Sequence, residues 1–266
     1  MSAKSAKPAK AATSGNDRLI GDKLAELLAL LSDVDSVELK VTVPDSLRRS
    51  AVNALELDPL EGQLRQVWFF DTPELALERS GLVVRARRTQ GRGDDSVVKL
   101  RPVVPSELPE ELRSSPAFKT EVDVLPGGFV CCGSLRAEHK GSRVREALAG
   151  QRPIKEVWTK EQRRFYKEHA PGGIGIEDLI PLGPVNVFKL KWTPTAYDRR
   201  LVAELWFYPD GSRILELSTK CLPSEALTVG MSARAFLESR GLDLSGEQQT
   251  KTHTALELFA SELAAA

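Results

Sequence analysis

Cysteine is scarce in this chain. There are three, with Cys131 and Cys132 adjacent and Cys221 alone. That spacing excludes a disulfide framework and fits a reducing, cytoplasmic setting. No apolar run approaches the ~20 residues that a membrane span needs, so no membrane partner is expected. The three histidines, His139, His169 and His253, lack any mutual metal-binding spacing and read as surface or structural groups. Gly172-Gly173-Ile174-Gly175 has neither a preceding strand nor a Walker-type lysine, which argues against a phosphate loop. Charge of one sign is lacking too. Lys+Arg equals Asp+Glu at 37 each, so the sum points to no specific nucleic acid; the distribution has to carry the argument. The opening MSAKSAKPAKAATSG has lysines without an apolar core, and residues 1–16 read as a disordered tail rather than a secretory signal.

What the chain does have is alternation. Residues 82–102 read LVVRARRTQGRGDDSVVKLRP: two β-type runs around a Gly-rich turn, the pattern of a hairpin. Successive side chains of a strand point to opposite faces. Arg85, Arg87, Lys99 and Arg101 therefore share one side, and Val84, Ala86, Val98 and Leu100 the other.

The pattern recurs along the chain. An amphipathic helix over 17–33 precedes the alternating run Ser36–Val43, whose Glu38 and Lys40 oppose Val37, Leu39 and Val41. A short helix follows to about Leu57, then a strand over Gln66–Phe70. Asp71-Thr72-Pro73 starts a helix closed by Gly81, with Pro in its first turn. Beyond the hairpin, Phe118–Leu125 places Glu121 and Asp123 against Val122 and Val124. An insert of helical character is expected at about 129–185, with Thr159 and Gln162 as a capping box. Alternation resumes with Lys189 and Lys191, then Glu204, then Glu216 and Lys220 after an Asp210-Gly211 turn. Two helices, about 224–239 and 247–264, end the chain.

Charged strand faces are ordinarily solvated, which would make this a sandwich with its aliphatic faces inside. Two features favour the reverse. Charges recur at matched positions, often basic beside basic, and like charges facing across strands destabilise a sheet unless compensated. The amphipathic helices also need an apolar surface to cover. The alternative is an α+β architecture: a closed barrel with a charged lumen and helices around the outside. Isolated buried charges are very costly, so such a lumen needs contents. A polyanion suits its Lys and Arg, and a hard cation suits its Glu and Asp; a triphosphate with a divalent metal satisfies both.

At this point the sequence resembles the CYTH domains, or triphosphate tunnel metalloenzymes, which include class IV adenylyl cyclases, thiamine triphosphatases and inorganic triphosphatases. The family opens on Glu-x-Glu-x-Lys. Here Ser36-Val37-Glu38-Leu39-Lys40 keeps the second Glu and the Lys, and Ser36 replaces the first Glu. Phe70-Asp71-Thr72-Pro73, Arg85-Ala86-Arg87, Lys99-Leu100-Arg101, Glu121-Val122-Asp123, Lys189-Leu190-Lys191, Glu204, Glu216 and Thr250-Lys251 follow in the family's order over about 36–260. Ser218 stands where a second acidic residue would follow Glu216.

The resemblance implies one domain over 36–264, an eight-stranded antiparallel tunnel that cleaves phosphoanhydrides with Mg²⁺ or Mn²⁺, as a monomer or homodimer. It implies Glu38, Glu121, Asp123, Glu204 and Glu216 as metal ligands. Arg85, Arg87, Lys99, Arg101, Lys189, Lys191, Lys220 and Lys251 would be phosphate contacts, with Lys40 and Glu38 at the chemistry. Triphosphate hydrolysis is the leading activity. Adenylyl cyclisation is the alternative within the fold, and a non-catalytic polyphosphate or nucleotide binder is the alternative that Ser36 and Ser218 favour.

Overall fold

Nine strands close on themselves in the computed structural model, which describes residues 15–244, 248 and 250–265, with the side chains of 15–22 left out. In chain order they are β1 (Ser36–Val43), β2 (Gln63–Asp71), β3 (Leu82–Thr89), β4 (Asp94–Leu100), β5 (Phe118–Leu125), β6 (Gly128–His139), β7 (Ile180–Trp192), β8 (Leu201–Phe207) and β9 (Arg213–Cys221). Around the barrel the order is β1-β5-β6-β4-β3-β2-β7-β8-β9, and β9 pairs with β1 to close it. Every neighbouring pair is antiparallel except β1 and β5, which run parallel with Glu38 opposite Asp123. Closure leaves no unpaired sheet edge.

The expected eight strands become nine because of β6. Residues 129–139 fall within the expected helical insert, and the structure places them, with Gly128, in the wall, as partner to both β5 and β4. Alternation is present there, with Val130, Cys132, Ser134, Arg136 and Glu138 on one face. It is masked by small residues on the other, at Cys131, Gly133 and Ala137. Gly133 is required: a Cβ there would lie 2.6 Å from the Phe118 ring. The insert shrinks to the stretch between β6 and β7.

Helices α1 (Gly15–Leu31), α2 (Arg48–Ala54), α3 (Ala76–Arg79), α4 (Glu110–Arg113), α5 (Arg143–Leu148), α6 (Lys160–His169), α7 (Ala226–Ser239) and α8 (Lys251–Ala265) complete the described chain. They cover the aliphatic outer faces of the strands. Trp68, Phe70, Val84, Ala86 and Val98 form one core with the insert's Val144, Trp158, Phe165 and Tyr166. Trp158, Phe165 and Tyr166 are therefore packing residues, Trp158 meeting Phe70 edge-on at 4.8 Å. Val41, Val43, Leu190, Ala203 and Leu217 pack with Ala233, Phe236 and Leu237 of α7, and Val37 and Val122 with Val229 and Leu27.

Two local devices fix the surroundings of the barrel. The expected capping box exists: Gln162 N–H donates to Thr159 Oγ1 at 3.1 Å, and Thr159 N–H to Gln162 Oε1 at 3.0 Å. The same Gln162 amide donates to the carbonyls of Ser96 and Leu135, pinning α6 to β4 and β6. After β2, the buried Asp71 carboxylate accepts from the N–H groups of Thr72, Leu77 and Glu78. The helix expected at Thr72 thus begins later, at Ala76, after a turn in which Leu75 has φ +57°.

α8 does something different from the other helices. Its Ala255, Leu256 and Phe259 pack with Val67, Phe69, Val83, Val187, Trp206 and Ile214. By strand parity those residues share the face of Arg85, Lys189, Glu204 and Glu216. One end of the lumen is thus apolar and covered by α8. No described helix is long and apolar enough to cross a membrane.

Candidate functional site in the barrel lumen

The charged faces point inward, as the ion pairs show. Lys40 Nζ lies 3.0 Å from Glu38 Oε2 and 2.9 Å from Asp123 Oδ1, across the β1–β5 junction. Lys99 reaches the other oxygen of Asp123 at 3.3 Å, and Lys220 pairs with Glu121. Carboxylate oxygens of Glu38, Glu121 and Asp123 all lie within 4.8 Å of one another. The two serines that replace expected carboxylates support this cluster. Ser36 Oγ donates to Glu121 Oε2 and Ser218 Oγ to Glu38 Oε1, each at 3.2 Å.

Glu204 and Glu216 lie opposite each other on β8 and β9 and form a second acidic group. Lys189 Nζ is 2.6 Å from Glu204 Oε1. Lys251, from the start of α8, contacts Glu204 Oε2 and lies 2.7 Å from Glu216 Oε1. The five expected metal ligands are thus divided, three in one cluster and two in another.

Burial and pairing set the charge states. Burial alone would raise the Glu38 pKa, but Lys40 and then Lys220 outweigh it and bring it to about 2. Burial works against the charge on Lys40, yet Glu38 and Asp123 hold its pKa well above the usual lysine range. Glu204 is held well below the carboxylate range, because Lys251 and Lys189 overcome its burial. Glu121 goes the other way: burial and the neighbouring Glu38 raise its pKa.

The remaining cations are less well compensated. Arg87 makes a forked ion pair with Asp95, its Nε 2.9 Å and Nη2 2.8 Å from Oδ1. Arg85 lies deeper, and its buried Nε has no hydrogen-bond partner. Burial and the adjacent Arg87 press its pKa down to about 9, so it remains charged at neutral pH. Lys191 is exposed on β7, where burial of its stem and then Arg65 and Arg92 lower its pKa. Arg101 stands past the end of β4, where its N–H donates to Gly81 C=O, outside the lumenal ion-pair network.

Arg65 is one lumenal residue that sequence reasoning missed; Asp95, Arg136 and Glu138 on the same inner face are others. Arg65 sits on β2 opposite Thr89 and Val187, and its buried Nε lacks a partner. The strand expected from Gln66 begins three residues earlier, at Gln63; extending the alternation of Val67 and Phe69 backwards finds Arg65.

No family model matches the chain, and no curated protein matches it by sequence. Solved structures do match in fold. An adenylyl cyclase candidate from Hippeastrum, described as having a dominant triphosphatase activity, superposes with a TM-score of 0.60. It is 18% identical and covers 85% of this chain and 95% of its own. An adenylate cyclase candidate from Bacillus halodurans gives 0.57 at 13% identity, over 83% and 97%. At these identities the likeness is one of fold, and at that level the resemblance to the CYTH group holds.

Proposed function

We propose that this chain is a metal-dependent triphosphate hydrolase working inside the barrel. One observation carries the reading: one closed lumen holds a tight carboxylate triad and, elsewhere on its wall, the guanidinium groups of Arg65 and Arg85, whose buried Nε atoms have no partner. Charges buried without partners are too costly to keep unless a ligand completes them.

The donor set fits a hard divalent cation. Glu38, Glu121 and Asp123 offer carboxylate oxygens, which Mg²⁺ and Mn²⁺ accept together with substrate phosphates. When bound, the cation supplies Lewis-acid polarisation of the phosphoryl group. Arg85 and Arg87 would grip phosphate oxygens with forked N–H donors, and Lys99, Lys189 and Lys191 would neutralise the rest of the chain. A triphosphate would also draw Lys40 and Lys99 away from Asp123, freeing that carboxylate. Lys40 stays protonated at neutral pH and so orients the attacking water by donating to it or to the phosphoryl oxygen. A loose phosphoryl-transfer transition state asks mainly for positioning and charge stabilisation, which this arrangement provides. The triphosphatase activity ascribed to the Hippeastrum neighbour supports hydrolysis over cyclisation.

The test is phosphate and pyrophosphate release from inorganic triphosphate, ATP and thiamine triphosphate, with Mg²⁺ or Mn²⁺ and with chelator. Metal-dependent phosphate release is expected, with kcat/KM lowered about 10²-fold or more in Glu38→Gln. Pyrophosphate with cyclic AMP from ATP would replace hydrolase by cyclase. Binding without turnover would leave a polyphosphate-binding protein.

A further inference from the structure

The lumen continues past the triphosphate site. At the end opposite α8, beside the β3–β4 turn, it opens into a cavity of about 550 Å³ lined by Arg65, Thr89, Arg92, Asp95, Arg136 and Lys140, among others. That volume is ordinary for a ligand pocket, but such pockets are mostly apolar and this one is not. None of its lining residues is Phe, Tyr or Trp.

Its acidic residues are already engaged. Asp95 holds Arg87, Asp94 accepts the Val144 N–H at 3.1 Å, and Glu138 pairs with Arg136 at 3.1 Å. The buried Arg65 Nε is left without a partner, and Arg92 and Lys140 are exposed with no ion pair among the described residues. The cavity leads onto the insert. Residues 140–169 carry nine lysines and arginines against four glutamates, in a chain whose net charge is zero. Cations thus extend from Arg85 in the lumen through Arg65 at the mouth to the outer surface.

We propose that this mouth is a subsite for further phosphates, so that the substrate class is linear polyphosphate longer than triphosphate, entered by its terminus. The proposal rests on the triphosphate reading above and narrows it. Bases bind by stacking on exposed aromatic side chains, and the one aromatic ring lining this mouth, His139, is buried with its Nε2 on Ser96 Oγ. Unpaired guanidinium and ammonium groups favour another anion there. The terminal three phosphates occupy the lumen while the rest of the chain leaves over Arg65, Arg92 and Lys140.

Two readouts test this: competition binding, in the absence of turnover, and steady-state hydrolysis. The probes are inorganic triphosphate, tetraphosphate, a long linear polyphosphate, ATP and a 5′-triphosphorylated oligonucleotide. The long chain is expected to bind about tenfold more tightly than triphosphate, with a steeper loss of affinity as salt is raised, since each added phosphate contact adds to the salt dependence. In Arg92→Glu/Lys140→Glu, whose substituted side chains are exposed, the ratio of long-chain to triphosphate affinity should fall close to unity. If triphosphate binds and longer chains bind no better, or if the charge reversal leaves the ratio unchanged, the subsite is refuted and the triphosphate site stands. A preference for ATP or for the oligonucleotide also refutes it, in favour of a nucleotide at the mouth. If no phosphate compound binds at all, both readings fall.

Discussion

Lys251 tests whether the lumen is a dry electrostatic core or a wet channel. Its ammonium contacts Glu204, lies 2.7 Å from Glu216 and stands 5.2 Å from the centre of the Trp206 ring. The three charged side chains retain only 17%, 13% and 7% of their exposure. Lys251→Met keeps the length and the apolar stem while removing the charge. Glu204 would still have Lys189, but Glu216 would keep no contacting cation among the described residues. Removing one member of a buried ion pair costs about 3–5 kcal/mol. The residual exposure of Lys251 places the expected loss at the lower end, about 3 kcal/mol. At about 2–4 °C per kcal/mol for a domain of this size, Tm should fall by about 6–12 °C. Urea unfolding should show a lower midpoint at unchanged slope, as expected for lost stability without a change in exposed surface. Glu216→Gln in the Lys251→Met background removes the stranded carboxylate, so the double variant should lose less than the sum of the two single changes. A Tm within about 1 °C of the parent, or strict additivity of the two changes, would refute the reasoning: the lysine would then be solvated and α8 held by its apolar contacts alone.

Two further perturbations address the frame around the site. Gly81 has φ +79°, and a Cβ there would lie 2.1 Å from the Arg101 carbonyl oxygen, so Gly81→Ala should cost about 2–3 kcal/mol or more. Gly91 shares the positive φ with nothing within 4 Å, so Gly91→Ala should cost only about 1 kcal/mol; equal thermal shifts would show that the clash is relieved. His139 is buried with its Nε2 2.8 Å from Ser96 Oγ, and burial, then Arg143, lowers its pKa against the pull of Asp94 and Asp95. The unfolded chain then binds a proton that the folded chain resists, so this contribution is complete above about pH 6.5 and drains away as the pH falls below it. The urea midpoint should hold above about pH 6.5 and drop as the pH is lowered below it, and His139→Gln should flatten that drop; identical pH profiles would rule out His139 as its source.

Much of the barrel was legible because side-chain period is a local property. Where one face is strongly charged and the other β-branched or aliphatic, as in β1, β3 and β8, alternation shows through. It failed at β6, where Cys131, Gly133 and Ala137 carry too little apolar signal to mark the outer face. It failed at Arg65, which lies at a strand end, where boundaries are least defined. The resemblance supplied most of the lumenal residues but not their grouping, since five carboxylates in a list say nothing of which ones meet.

The sequence by itself determined that charged and aliphatic residues lie on opposite faces of the strands, and that the helices carry apolar stripes able to cover the aliphatic side. Only the tertiary structure decided which charges become partners. Glu38 and Asp123 are far apart in the chain, and only the parallel register of β1 on β5 sets them side by side. Lys251 joins Glu204 and Glu216 because α8 packs onto one end of the lumen. Alternation fixes the face a residue occupies, whereas register and closure fix its distance from everything else on that face. The strength of a charge–charge interaction depends on that distance and on how much water is excluded.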